Sequence, residues 1–351
     1  MADRYDASVL ITYCAGLFAG LGMPAARAKV VGELLVEADL MGHDTHGLAQ
    51  APGYLGDLEA GRMAADGEPD VVADRGGVLT WDGRYLSGVW LVAHAIDTAM
   101  GRVADHGTVS VSIRRSHHIA CLAAFLPLAT ARGYAVLLTC SDPSVKAVAP
   151  YGSYQPTFTP DPLAFGFPTA GDPVLIDISA SATTMGLAGR FDAAGARLPG
   201  PWLIDNQGQP SDDPAVLRTD PPGAFQPLGG PDRGHKGFGL ALMIEALTSG
   251  LCGYGRAEEP TQWGASVFLQ IIDPAAFGSA DTFRRETTHL AEVCRAAAVP
   301  DGKPPARMPG DGALARKRAA LENGVELYPT IMGALQPWAD KLGVRPPRPR
   351  A

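Results

Sequence analysis

Cysteine is scarce in this chain and shows no pairing pattern. The five cysteines among 351 residues, Cys14, Cys121, Cys140, Cys252 and Cys294, include no C-x-x-C pair. Neither a disulfide framework nor a zinc knuckle is therefore indicated. The N-terminal segment lacks the features of a signal peptide, and no uncharged run approaches the roughly 18 residues that a membrane span needs. We expect a cytoplasmic protein with no membrane association.

Clustered positive charge is also missing. The 29 Lys and Arg residues are outnumbered by 37 Asp and Glu residues, which gives a formal net charge of -8. Nucleic-acid phosphates are bound by clustered basic side chains, so this balance argues against a nucleic-acid partner. The one basic cluster, in the terminal RPPRPRA, alternates with prolines and is typical of a solvated tail.

The glycine fingerprint of a Rossmann dinucleotide-binding fold is absent. That fingerprint, G-x-G-x-x-G, lies between an early strand and a helix. Of the two nearest stretches, GLFAGLG (16–22) lies inside a helical pattern, whereas GHKGFG (234–239) carries Lys236 where the pattern predicts a helix start. Backbone N–H groups at a helix start and a lysine can together bind phosphate. An ordinary helix start with an exposed lysine has the same pattern.

Strand and helix patterns alternate along the chain and predict an α/β architecture. Strands are predicted at 71–74, 78–83, 108–116, 134–141, 173–179 and 266–273, and helices at 24–41, 90–107, 119–133, 235–253, 281–298 and from about 314 onward. The proline-rich stretch 141–168 excludes a central strand and predicts an ordered loop. We divide the chain into an N-terminal helical region (1–75), an α/β domain with inserted loops (76–310) and a C-terminal helical segment (311–351) that packs back on the N-terminal region.

The stretch MGHDTHGLAQAP (41–52) carries two histidines three residues apart, His43 and His46. Three interpretations are open. Histidines near a helix C-terminus complement the helix dipole. Two histidines at this spacing can bind a metal if a third ligand comes from elsewhere, such as His117 or His118. A histidine beside a hydroxyl and a carboxylate, here Thr45 and Asp44, can also transfer a proton near neutral pH.

A second histidine pair lies in SHHIACLA (116–123), at a predicted strand-to-helix junction. Ligands bind at the carboxyl ends of strands in α/β sheets, so His118 is well placed for a site. A helix cap or a surface histidine is the simpler alternative for the same residue.

Taken together, these stretches resemble the type-2 malate/L-lactate dehydrogenase family. Its members also include ureidoglycolate and sulfolactate dehydrogenases and Δ1-piperideine-2-carboxylate reductases. The motifs that carry the resemblance, in the family's order, are GHDTHG, SHHIACLA, VAPYGSYQPTFTPDP, DISAS, HKGFGLAL and RMPGDG. Six motifs in this order cover nearly the whole chain. The first motif begins with the residues GHD, which most resemble the malate/hydroxycarboxylate dehydrogenase branch.

The resemblance implies a non-Rossmann, sulfolactate dehydrogenase-like NAD(P)-binding fold, with a mixed sheet and flanking helices, in a homodimer. It implies hydride transfer between NAD(H) or NADP(H) and a small 2-keto/2-hydroxy acid or related cyclic imine. His46 would then be the catalytic acid/base with Thr45 as its hydroxyl partner, although some members use the histidine that matches His118. The cofactor residues carried over are His118, Ile119, Ala120, Cys121, Leu122, Ser141, Asp177, Ile178, Ser179, His235, Lys236, Pro309, Gly310 and Asp311. The resemblance implies no metal.

The departures from the family pattern fall on the substrate side. Gln50 stands where many members carry an arginine that holds the substrate carboxylate, and its amide cannot form a bidentate charged pair. Pro160 and Asp161 replace the polar pair of the family's G-T-N-P stretch. Met185 and Gly186 precede Leu187, where imine reductases carry an aspartate. We expect an atypical substrate, less anionic than malate or lactate or bearing an amine.

Two other functions remain open on the sequence. The substituted substrate positions also fit a cofactor-binding family member whose dehydrogenase activity is lost or redirected. Metal-dependent hydrolysis through the histidine pairs is a third possibility, and it predicts stoichiometric zinc.

Overall fold

A seven-stranded mixed sheet lies at the centre of the fold. The structure is a computed structural model and describes residues 3–350. Its α-helices are α1 (Ala7–Gly20), α2 (Ala25–Met41), α3 (Ala51–Glu59), α4 (Gly88–Met100), α5 (Val103–His106), α6 (Leu126–Thr130), α7 (Met185–Ala193), α8 (Gly230–Glu245), α9 (Ala280–Ala296), α10 (Asp311–Asn323) and α11 (Ile331–Leu342). Its strands are β1 (Arg4–Tyr5), β2 (Asp70–Asp74), β3 (Val78–Asp82), β4 (Thr108–Ser116), β5 (Ala135–Ser141), β6 (Pro162–Phe167), β7 (Val174–Ser179), β8 (Leu203–Ile204), β9 (Pro210–Ser211), β10 (Ala224–Phe225), β11 (Ala265–Ile272) and β12 (Val325–Glu326).

The strand order in the main sheet is β2-β3-β4-β11-β5-β6-β7. Only the β3–β4 pair in this sheet is parallel. The late strand β11 lies between β4 and β5, and its sequence ASVFLQII is almost continuously apolar because both of its faces are covered. The predicted mixed sheet with flanking helices is confirmed.

The prediction of a loop over the whole stretch 141–168 is wrong for its last part. Residues Pro162–Phe167 form β6, which pairs with β5 on one side and β7 on the other. Proline is tolerated because Pro162 is the first residue of the strand, and its carbonyl accepts a hydrogen bond from Thr139 Oγ1 (2.6 Å). The interior strand therefore begins at the proline itself.

The structure differs from the predicted helices at two places. The helix expected over 119–133 is reduced to a 3-10 turn, Leu122–Phe125, followed by α6, and Ala120 has a positive φ of 59° that no helix allows. The helix α7 was not predicted, because its sequence MGLAGRFDA has no strong apolar face. Both segments end up beside the candidate site.

The N-terminal helices and the C-terminal helices share one layer. α2 contacts α1, α4 and α10, while α11 contacts α1 and α3. The short strands β1 and β12 pair antiparallel and tie the two ends of the chain together. Over residues 3–350, none of the helices combines the length and apolar character needed to cross a membrane.

Candidate active site

A cavity of about 470 Å³ opens where the loop after α2 meets the ends of the central strands. Such a volume is typical of small-molecule sites. Its lining residues are His43, Thr45, His46, Gln50, His118, Ala120, Cys121, Leu122, Cys140, Ser141, Asp142, Val145, Thr159, Pro160, Pro162, Asp177, Ser179, Thr184, Met185, Gly186, Trp263, Gly264 and Ala265. Residues from four of the six sequence motifs thus meet at one place.

Two glycines shape the loop that carries His46. Gly42 ends α2 in the left-handed conformation, with φ of 83°. Gly47 then packs on the buried Asp39, and a methyl group at Gly47 would lie 2.6 Å from Asp39 Oδ2 and closer still to its Cγ. Asp39 Oδ2 accepts the backbone N–H of Leu48 (2.8 Å). The loop therefore turns back over the end of α2 and directs His46 into the cavity.

His46 is held by its neighbour in the chain. Its Nδ1 lies 2.8 Å from Thr45 Oγ1, which leaves Nε2 as the atom that can exchange a proton with a ligand. Burial lowers the pKa of His46 to about 4, and the neighbouring His43 and Arg190 act in the same direction. With this pKa, the His46 imidazole is neutral at pH 7 and can accept a proton.

Asp44 does not support His46 as a charged partner. Its Oδ1 accepts a hydrogen bond from Arg190 Nη1 (2.8 Å), and its carbonyl accepts one from Nη2 (3.0 Å). The Arg190 guanidinium also stacks over the Tyr328 ring, 3.9 Å from the centroid. The carboxylate is thus used to join the loop to α7.

His118 is enclosed by two aromatic residues that the sequence did not single out. Tyr54 Oη lies 2.5 Å from His118 Nδ1, and the Trp263 ring stacks on the imidazole with centroids 4.7 Å apart. Burial lowers the pKa of His118 well below its usual value. Aromatic residues at such positions look like ordinary core residues in a sequence, so no signal marked them.

The neighbouring His117 lies in the protein interior and contacts Asp57 instead of the cavity. Its side chain is fully buried, and its Nε2 lies 2.9 Å from Asp57 Oδ2. The two histidines of this pair therefore diverge, and they do not form a metal site with His43 and His46. In the part of the chain that the structure describes, the possible ligands grouped closely enough for a metal ion are His43, Cys121 and Asp177.

A second cavity, of about 610 Å³, adjoins the first and shares His43 and Asp177 with it. The predicted cofactor residues Ile178, Pro309 and Gly310 line this second cavity. The segments that carry them are held together, since the Leu175 N–H donates to the Pro309 carbonyl (3.1 Å). Arg307 and Arg316 supply positive charge at the same cavity.

The remaining predicted residues lie outside both cavities. Ile119 is buried in the core, and Leu187 follows the lining residues Met185 and Gly186. Asp311 is bound by Arg295 through both carboxylate oxygens (2.6 and 3.0 Å). The Asp311 side chain therefore links the start of α10 to Arg295 of α9.

The predicted phosphate site at GHKGFG is not supported by the position of the helix start. α8 begins at Gly230, so His235 and Lys236 lie in its second turn, exposed to solvent. The N–H of Gly237 already donates to the Leu228 carbonyl (3.1 Å). Gly237 is needed for close packing, since a Cβ atom there would overlap the backbone of Leu228 and approach the Ala180 carbonyl at 2.8 Å.

Asp161 lies beneath the first cavity and is completely buried. Its Oδ1 accepts a hydrogen bond from Thr159 Oγ1 (2.5 Å). Burial and the nearby carboxylate of Glu245 raise the pKa of Asp161 to about 8, so it is largely protonated at neutral pH. Thr159 and Pro160 line the cavity, whereas Asp161 does not.

Comparison with known proteins places the site in a family. The family model described as malate/L-lactate dehydrogenase matches residues 5–336. The chain is 29% identical over 348 residues to hydroxycarboxylate dehydrogenase B of Escherichia coli O157:H7, which covers 97% of this chain and 95% of that protein. It is 30% identical over 328 residues to (2R)-3-sulfolactate dehydrogenase (NADP(+)) of Chromohalobacter salexigens, with 91% and 93% covered.

A solved structure agrees with these matches. The crystal structure of Δ1-piperideine-2-carboxylate reductase from Pseudomonas syringae pv. tomato aligns with a TM-score of 0.83 and 26% identity, over 96% of this chain and 99% of that one. The resemblance drawn from the six motifs is confirmed, and the chain belongs to the malate/L-lactate dehydrogenase family of oxidoreductases.

Proposed function

We propose that this protein transfers a hydride between NAD(H) or NADP(H) and a small 2-keto/2-hydroxy acid derivative or related cyclic imine, with a substrate that differs from simple malate or lactate. The observation that carries the proposal is the pair of joined cavities. The first holds His46 beside the apolar wall Ala120–Leu122, and the second carries two arginines. The dehydrogenases and reductases among the relatives support the reaction class.

The residues of the two cavities fit an elongated anionic dinucleotide. Arg307 and Arg316 flank Gly312, and both guanidinium groups lie within 3.6 Å of the position that a Cβ atom would take there. Because Gly312 has no side chain, space is left beside two cationic groups, and phosphate groups could bind there. The wall of the first cavity is apolar enough for a nicotinamide ring. Bound nicotinamide would supply or accept the hydride.

His46 would move the proton that accompanies the hydride. In the oxidative direction, the neutral imidazole accepts the hydroxyl proton at Nε2, because Nδ1 is engaged by Thr45. In the reductive direction, His46 first takes up a proton from water, and the same nitrogen then gives it to the substrate oxygen or nitrogen. His118 is less suited to this role, since Tyr54 and Trp263 hold it on two sides. It forms part of the wall instead.

The proposal is tested with cofactor titrations and a substrate panel. NADH and NADPH binding is followed by fluorescence, and hydride transfer is followed by absorbance with 2-keto acids, their neutral derivatives and cyclic imines. We expect turnover by the wild type and a loss of about 100-fold or more in kcat for His46→Ala. His289→Ala, at an exposed position on α9, is the matched control and keeps full activity.

The alternative function gives a different result in the same experiment. If the protein binds NADH or NADPH but reduces no member of the panel, it is a cofactor-binding member of the family whose dehydrogenase activity is lost or redirected. Elemental analysis of the purified protein tests the metal alternative at the same time, since stoichiometric zinc would contradict the proposed chemistry.

The chain is also expected to form a homodimer. Leu242, Met243 and Leu251, on and just after α8, have between 45% and 57% of their surface exposed. Apolar surface of this kind is typical of subunit interfaces. Sedimentation velocity should give twice the chain mass of 36.6 kDa, and a monomer at micromolar concentration would contradict this expectation.

A further inference from the structure

The charged side chains around the first cavity limit the substrates that it can hold. Among the residues that the structure describes, neither lysine nor arginine lines it, whereas Asp142 and Asp177 do. A carboxylate next to the reacting carbon would be drawn out of water into this cavity. Leaving such a charge without a cationic partner is strongly unfavourable.

The polar side chains of the cavity also use their protons elsewhere. Gln50 Nε2 donates to the Thr45 carbonyl (2.7 Å), which fixes the orientation of the amide and leaves Oε1 as an acceptor. Ser141 Oγ donates to Glu245 Oε1 (2.7 Å), and Ser179 Oγ donates to the Pro160 carbonyl (2.9 Å). These three side chains therefore offer a ligand acceptor atoms.

Arg190 cannot compensate for the missing cation. Asp44 accepts hydrogen bonds from both of its terminal nitrogens, and Tyr328 covers the face of its guanidinium. The acidic groups do not form a ready site for an ammonium ion either. Asp142 Oδ1 accepts from both the N–H and the hydroxyl of Ser144, and its Oδ2 accepts from the N–H of Gly264.

We infer that the substrate is a 2-oxo carboxamide, reduced to the 2-hydroxy carboxamide, and that Gln50 Oε1 selects it by accepting an amide N–H. This inference rests on the proposed function. In the reduction, hydride from NAD(P)H forms a C–H bond at carbon 2. The π electrons of the C=O bond move to the oxygen, which takes a proton from Nε2 of His46 after the imidazole has been protonated from water. The nicotinamide is oxidised, and the amide is unchanged.

Three ketones that share a three-carbon frame test the charge preference directly. Pyruvate, pyruvamide and aminoacetone carry charges of -1, 0 and +1 next to the same carbonyl group. We expect the wild type to reduce pyruvamide with a kcat/KM at least tenfold above that of the other two. Isothermal titration of pyruvamide and pyruvate onto the protein with NAD+ bound measures the same preference without turnover.

Gln50→Arg tests the assignment to this residue. An arginine can pair with a carboxylate, so the ratio of kcat/KM for pyruvate to that for pyruvamide should rise between tenfold and a hundredfold. Gln50→Met has a similar length and lacks the acceptor oxygen, so it should lose the preference for pyruvamide without gaining one for pyruvate. Circular dichroism checks that both variants fold.

The outcomes separate the two proposals. A wild type that prefers pyruvate or aminoacetone, or a Gln50→Arg variant whose ratio changes less than threefold, overturns the carboxamide inference and leaves the proposed function in place. Failure to reduce any of these ketones or any member of the wider panel, despite NADH or NADPH binding, overturns the proposed function and this inference with it.

Discussion

Replacement of Gly47 by alanine tests how the active-site loop is held. The new methyl group would overlap the carboxyl group of Asp39, which is 8% exposed and lies at the end of α2. Asp39 cannot turn away without losing its hydrogen bond from Leu48. Overpacking typically destabilises by about 1 to 3 kcal/mol, and loss of a hydrogen bond to a charged group by about 1.5 to 3 kcal/mol.

We therefore expect Gly47→Ala to lower the free energy of unfolding by about 2 to 5 kcal/mol, as measured by urea denaturation at pH 7.5. The displaced loop also carries His46, so kcat should fall more than KM changes. Gly53→Ala is the matched control, because Gly53 is an exposed residue of α3 with no atom within 4 Å of its would-be Cβ. It should stabilise the protein by about 0.5 to 1 kcal/mol. A Gly47→Ala variant as stable and active as the wild type would refute this account of the loop.

Two further predictions concern the histidines. The folded-state pKa of His46, about 4, lies below the usual 6.5, so the unfolded state takes up a proton first as the pH falls. Stability from this group should be complete above pH 6.5 and decline by about 3 kcal/mol down to pH 4, and urea titrations should show a shallower decline for His46→Gln. An equal pH dependence in the variant would contradict the low pKa. Tyr54→Phe removes the partner of the buried His118 Nδ1 and should lower the unfolding free energy by about 1 to 3 kcal/mol, whereas Tyr151→Phe, at an exposed position, should change it by less than about 0.5 kcal/mol.

The regular part of the fold follows from local patterns. The alternating and continuous apolar runs of β4, β5, β7 and β11 predicted those strands, because a strand buried on its faces needs apolar residues whatever its neighbours are. β6 was missed because its sequence PLAFGF begins with proline and contains glycine. Its place in the sheet is fixed by pairing with β5 and β7, which no local pattern contains.

The candidate site likewise contains residues that the sequence could identify and residues that it could not. His46 and His118 could be named because polar groups at loop and strand ends carry chemistry, and Asp177 because the DISAS motif resembles the family's pattern. Tyr54 and Trp263 could not, since their contacts to His118 depend on elements far apart in the chain. The low pKa of His46 could not be predicted either, because it arises from burial under residues of other segments and from Arg190.

The central position of β11 sets an order for the assembly of the protein. β4 and β5 are consecutive strands in the chain, yet β11 separates them, so the gap must stay open until residues 265–272 arrive. The residue that stacks on His118, Trp263, immediately precedes that strand. During synthesis, the first cavity is therefore incomplete until about three quarters of the chain has left the ribosome, and a nascent or truncated chain without β11 exposes apolar residues of β4 and β5.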